Sequence, residues 1–211
     1  MKKLWIFGDS FSCDWSNTVT PGHTEYAKKY NPEHFKTVIS SELNLEVVNM
    51  AVSGYCNQSI LESVGSSINS IGKDDYVVIG WSEITRWRNT SILGGNWTIV
   101  GVNFTTPWKK NINPLYRYES VNRDCKPVAK EFNSWVNILK KALPINTFHW
   151  TPFQAQKTIW NLDVEEPPFG LQRIKEKTGI LDRHMTSESH IDVGKWITKR
   201  FKQEKYDKPL L

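Results

Sequence analysis

The sequence predicts an α/β fold: a three-layer α/β/α sandwich built on a mostly parallel central sheet. Three observations carry this reading. Short apolar runs alternate with amphipathic stretches in the order βαβαβαβα. The run Tyr76 to Gly80 is almost wholly apolar, as a strand covered on both faces should be. The stretches between runs are long enough for the crossover helices that parallel strands require.

The first strand is expected at Leu4 to Phe7. Asn31-Pro32 offers a capping side chain ahead of a proline at the first helical position, and Phe35, Val38, Ile39 and Leu43 follow at helical spacing. Leu45 to Met50 is the second strand. A polar turn around Ser53-Gly54 leads to Asn57 as a cap and to a helix with Ile60, Leu61, Val64, Ile68 and Ile71 on one face, ended by Gly72. Tyr76 to Gly80 is the third strand.

From Trp81 to about Asp124 the periodicity is lost, although Gly94-Gly95 could turn a hairpin into Trp97 to Phe104. A helix from about Pro127 to Leu143 carries Val128, Phe132, Trp135, Val136 and Leu139 at helical spacing, and Thr147 to Thr151 is the fourth strand. Residues 152–180, with Pro152, Pro167, Pro168 and Gly170, read as irregular. The last helix is expected to start near Thr186 or Ser187 and to bury Val193, Trp196, Ile197 and Phe201. The whole chain, 1–211, reads as a single domain with insertions at about 84–125 and 152–180.

Composition narrows the function classes. The chain is 39% hydrophobic, 23% charged and 12% aromatic, which excludes collagen-like and wholly disordered readings. The net charge of +5 comes from basic residues spread among acids and aromatics. The denser series Lys195, Lys199, Arg200, Lys202, Lys205 and Lys208 reads as the solvated face of the final helix and its tail. With no nucleic-acid-binding motif beside it, nucleic acid is not expected as a partner. Three cysteines, Cys13, Cys56 and Cys125, without a CxxC pair or a histidine cluster at zinc spacing, indicate neither a disulfide framework nor a metal site. The apolar run after Lys2-Lys3 spans four residues, too short for a signal peptide, and no later stretch has membrane-spanning length. A cytoplasmic protein without membrane or cofactor is therefore expected, with virion association an option if the source is a phage.

Chemistry in such a sheet gathers at the carboxyl ends of the strands. Gly8-Asp9-Ser10 follows the first strand, Asn49-Met50-Ala51-Val52-Ser53-Gly54 the second, and Gly80-Trp81-Ser82-Glu83 the third, while Asp182-Arg183-His184 precedes the last helix. Taken alone, Ser10 reads first as a helix cap. Together and in this order, these four segments resemble the blocks of the SGNH (GDSL-type) hydrolases. That resemblance spans the chain from Gly8 to the final helix and implies a flavodoxin-like hydrolase fold.

The resemblance implies roles residue by residue. Ser10 matches the nucleophile, whose backbone N–H is also an oxyanion donor, and Gly54 matches the second donor. His184 matches the general base and Asp182 the carboxylate that orients it. Ser82 stands where the family has a third oxyanion donor, an asparagine, and its shorter hydroxyl takes that place here. A second departure is the spacing, because the acid lies two residues before the histidine instead of three. The rival alignment puts the base at His190, with Ser187 three residues upstream and no acid there.

Other residues are weighed against plainer roles. Trp81 and Arg86 are candidate substrate contacts, Arg86 as a clamp for an anionic group or simply as a partner of Glu83. Trp15, Tyr55, Trp87, Trp97 and Trp108 could stack on sugar rings or fill the core. His149 reads as a core or near-site residue, and His23 and His34 as surface.

The activity implied is that of a serine esterase or deacylase acting through an acyl-enzyme. Its expected substrate is a small O-acyl ester of a carbohydrate, such as an acetyl ester. A glycan- or partner-binding module on a weakened scaffold is the alternative, and acyl transfer to a sugar a third. The sequence is silent on oligomeric state.

Overall fold

The computed structural model describes residues 1–14, 28, 33–84, 87–90, 96–99, 125–153, 156–175 and 181–204, with only the backbone at 87–90, 96–99, 125, 173–175, 181–183 and 204. In chain order the elements are β1 (Lys3–Gly8), α1 (Phe35–Leu43), β2 (Glu46–Asn49), α2 (Asn57–Ser67), β3 (Tyr76–Gly80), β4 (Trp87–Thr90), β5 (Asn96–Ile99), α3 (Cys125–Ala142), β6 (Thr147–Trp150), α4 (Gln156–Trp160), β7 (Arg173–Lys175), β8 (Leu181–Met185) and α5 (Ser187–Glu204).

Strands β2, β1, β3 and β6 form one sheet in that order, every pair parallel. Period two along the strands divides the core into two layers. Leu4, Ile6, Tyr76, Val78, Phe148 and Trp150 meet Phe35 and Ile39 of α1 and Val193, Ile197 and Phe201 of α5 on one face. Trp5, Phe7, Val77 and Ile79 meet Ile60 and Val64 of α2 and Phe132, Val136 and Leu139 of α3 on the other. The predicted three-layer sandwich is what the chain adopts. Each fully buried Ile, Leu or Phe in these layers is worth roughly 1.5–3 kcal/mol of burial.

All five residues of β3 are buried, in keeping with its central place. Helices α1 and α5 pack so closely that a Cβ at Gly194 would lie 2.7 Å from Val38 Cβ and 2.9 Å from the Phe35 carbonyl. Asp75, before β3, accepts hydrogen bonds from the Lys3 N–H, Trp5 Nε1 and the Gly72 N–H. Burial raises its pKa, but these donors outweigh that and hold the carboxyl below its usual range.

Several local expectations are corrected. The cap of α1 is His34, whose Nδ1 accepts from the Lys36 N–H at 3.2 Å, while Asn31 and Pro32 lie outside the described residues. His34 is buried, not a surface residue, because its ring is packed at 4.4 Å against both Phe35 and His190; His23 lies outside the described residues. Cys56, not Asn57, caps α2, because the Asn57 side chain is bonded elsewhere. Helix α2 ends at Ser67 and passes into a 3-10 turn, Ile68–Ser70, ahead of Gly72. The expected hairpin is seen as β4 paired antiparallel with β5, although its 91–95 link lies outside the described residues. The stretch 152–180, expected to be irregular, holds α4 and β7, and β7 pairs antiparallel with β8. Among the described residues no helix is long and apolar enough to cross a membrane.

Candidate functional site

The carboxyl ends of β1, β2 and β3 come together because their register does. Gly8 lies beside Gly80, and the chain after β2 stays on β1 through Met50 N–H to the Ile6 carbonyl and Val52 N–H to the Gly8 carbonyl. A Cβ at Gly8 would lie 2.5 Å from Ser12 Oγ and 2.8 Å from the Gly80 carbonyl, and a Cβ at Gly80 would lie 2.4 Å from Ser12 Oγ, so the Ser12 side chain packs on both strand ends only because both are glycines. Ser10 therefore leaves β1 directly beside the corner that bears Ser82.

The turn carrying Ser10 is held from below. The Asp9 carbonyl accepts from the Ser12 and Cys13 N–H groups, and Asp9 Oδ1 accepts from the Phe11 N–H at 3.0 Å. Asn49 Nδ2 donates to the Ser12 carbonyl, and Asn49 Oδ1 accepts from the Ala51 N–H, tying this turn to the one after β2. Ser10 itself is 9% exposed. The neighbouring Cys13 offers no rival nucleophile, since burial, reinforced by the charge of Asp9, pushes its thiol up to about 12.

Gly54 has φ +86°, a left-handed conformation that favours glycine, and it is exposed, with no atom of the described residues within 4 Å of where a Cβ would stand.

His184 is buried on β8, and its ring lies on Phe11 with centroids 5.2 Å apart and planes 30° from parallel. Phe11 follows Ser10 in sequence, so this contact fixes the imidazole against the Ser10 turn. The Asp182 backbone stands two residues earlier on the same strand. Residues 181–185 are extended and paired with β7, with an irregularity in the register. His190 goes elsewhere: it is in the first turn of α5, with its ring on His34 and Phe35 of α1.

Ser82 departs from its expected role. Its hydroxyl donates to Asp9 Oδ2 at 2.8 Å and its backbone N–H donates to Asn57 Oδ1 at 2.7 Å. Both of its donors are thus committed within the protein and neither is presented to an oxyanion. Asn57 was unforeseen in this position. It closes on the Ser82 backbone from both sides, its Nδ2 also donating to the Ser82 carbonyl.

Trp81 is likewise corrected. It is fully buried, edge-on to Phe132 at 4.9 Å, and its Nε1 donates to His149 Nδ1 at 3.1 Å, so it offers no face to a substrate. That bond places the His149 proton on Nε2. Burial, with the positive charge of Lys140 nearby, drives the His149 pKa down to about 3. Tyr55 is half-buried against the same core layer. Arg86, Trp15 and Trp108 lie outside the described residues, as do the side chains of Trp87 and Trp97. Among the described residues no group of three His, Cys, Asp or Glu side chains is placed to hold a metal ion.

No family model matches the sequence, and no curated protein matches it either. Among solved structures, the chain is similar to a carbohydrate esterase whose active site is described as displaying divergent catalytic and non-catalytic binding functions. That likeness has 14% identity and a TM-score of 0.48, and covers 96% of this chain and 68% of the other. It is also similar to a protein described as lipolytic, of the G-D-S-L family, from Desulfitobacterium hafniense DCB-2. There the identity is 13% and the TM-score 0.41, with 94% and 99% of the two chains covered.

Proposed function

We propose that the protein is a serine esterase or deacylase that works through an acyl-enzyme, on a small O-acyl ester of a carbohydrate. The observation that supports this most is the packing of His184 on Phe11, which brings a buried imidazole from the end of the chain to the turn bearing Ser10.

In this reading Ser10 Oγ attacks the ester carbonyl and gives its proton to His184. The tetrahedral oxyanion accepts from the backbone N–H groups of Ser10 and Gly54. Collapse expels the alcohol, which takes the proton from His184, and the acyl group remains on Ser10. Water, deprotonated by the same imidazole, then attacks the acyl-enzyme and frees the acid. Asp182 holds the imidazole and balances its charge.

A second reading, a glycan-binding module with weak catalysis, is favoured by one observation: the commitment of both Ser82 donors leaves two backbone donors to stabilise the oxyanion. Losing one such donor typically costs about 10²- to 10³-fold in rate. Hydrolysis of p-nitrophenyl acetate and of acetylated sugars, measured beside a Ser10→Ala control, separates the two. Turnover that the control lacks supports the esterase, and sugar binding with no turnover supports the module.

A further inference from the structure

We infer that Ser82 is a positioning residue, which ties the nucleophile turn to the end of β3 through the Asp9 carboxylate. This rests on the esterase reading and assigns Ser82 a different task within that site.

Ser82 is 2% exposed and Asp9 1%, and their hydrogen bond links residues 73 apart in the chain. Away from water, a hydroxyl on a carboxylate is a strong, charge-assisted contact. Asp9 uses both oxygens on site geometry: Oδ1 holds the Phe11 N–H, and Oδ2 holds Ser82. The carboxylate is therefore a bridge with Ser10 enclosed between its own residue and Phe11.

The far end of the bridge is fixed too. Asn57, 5% exposed, accepts from the Ser82 N–H and donates to the Ser82 carbonyl, a two-point clasp on one residue's backbone. Asn57 is the first residue of α2, just after the turn that carries Gly54. The chain Phe11–Asp9–Ser82–Asn57 thus connects the Ser10 turn, the β3 corner and the Gly54 turn. An asparagine amide is present beside this corner, but it is spent on backbone. Positional errors near 1 Å at reacting groups cost about 10²-fold in rate, so a bridge of this kind acts on catalysis without touching substrate.

The test is a cycle of Ser82→Ala, Asp9→Asn and the double variant, with kcat and KM measured well below each melting temperature. Positioning predicts that Ser82→Ala lowers kcat about tenfold or more with KM nearly unchanged, and that the double variant is no worse than Asp9→Asn by more than about twofold. Losses that multiply, or a Ser82→Ala variant with unchanged kcat, overturn the inference. Amide hydrogen exchange provides a second arm that needs neither activity nor the Asp9 variant. In Ser82→Ala the Phe11 amide should exchange several-fold faster while the Val77 and Val78 amides of β3 keep their rates; unchanged exchange at Phe11 overturns the tether. A parent protein without turnover refutes the esterase reading, and the exchange arm then reports on the tether separately.

Discussion

The imidazole of His184 lies on the ring of Phe11, 5.2 Å between centroids, and by this contact a strand from the end of the chain reaches the turn that follows β1. His190, six residues on, packs instead on His34 of α1. His184→Ala should therefore abolish most ester turnover, by at least about a hundredfold, while His190→Ala costs mainly stability. Rates and melting temperatures of the two variants check this, and a reversed order would move the base to His190.

Asp75 joins the start of β1 to the loop before β3. Its folded pKa lies below the unfolded value of 3.8, so its contribution is fully present above that pH and fades as the pH falls through the lower folded pKa. Asp75→Asn should lower the melting temperature at neutral pH, and the gap to the parent should narrow below about pH 4. Thermal denaturation across an acid series measures it. A gap that is constant with pH would mean that packing, not charge, is lost.

His149 carries a dependence of the same sign over a higher pH window. It stays neutral in the folded protein down to about pH 3, whereas in the unfolded chain it takes a proton below about 6.5. Falling pH across that window therefore favours unfolding. His149→Gln, which cannot be protonated, should weaken the acid destabilisation between pH 6.5 and 3, at the cost of some stability at neutral pH from the altered partner of Trp81. Parallel stability profiles for the two proteins would contradict the account.

Gly54 separates backbone from side-chain effects. With φ +86° and no described residue near its Cβ position, Gly54→Ala meets no clash with the described residues but must adopt a left-handed backbone, at about 1–2 kcal/mol. A loss of kcat beyond what the change in melting temperature explains is expected if its N–H faces the oxyanion. Unchanged kcat would remove Gly54 from the site.

The four strands of the central sheet and their order along the chain were legible because they depend on local pattern: an apolar run such as Tyr76 to Gly80 declares its burial residue by residue. The segments around Ser10 were singled out by their resemblance, in order, to the blocks of the SGNH hydrolases, since the glycine and hydroxyl after β1 read alone as a helix cap. What local pattern could not disclose was where long-range partners send a side chain. Trp81 sits in a segment that reads as site-facing, yet its indole completes the core layer under α3 and finds His149 from β6. Asn57 looks like a helix cap, and only the approach of β3 gives its amide a better pair of partners. His34 looks exposed until α5 covers it. Ser82 has the right place in sequence for an oxyanion donor, and only its bond to Asp9, 73 residues away, reassigns it.

The central claim is that Ser10 is an activated nucleophile served by His184, and covalent labelling tests it most directly. The full-length protein is treated with a fluorophosphonate and the modified peptide located by mass spectrometry, beside Ser10→Ala and His184→Ala. The account predicts an adduct on Ser10 in the parent, none in Ser10→Ala and a strongly slowed reaction in His184→Ala. No adduct in the parent, or an adduct on another residue that persists in Ser10→Ala, would contradict it.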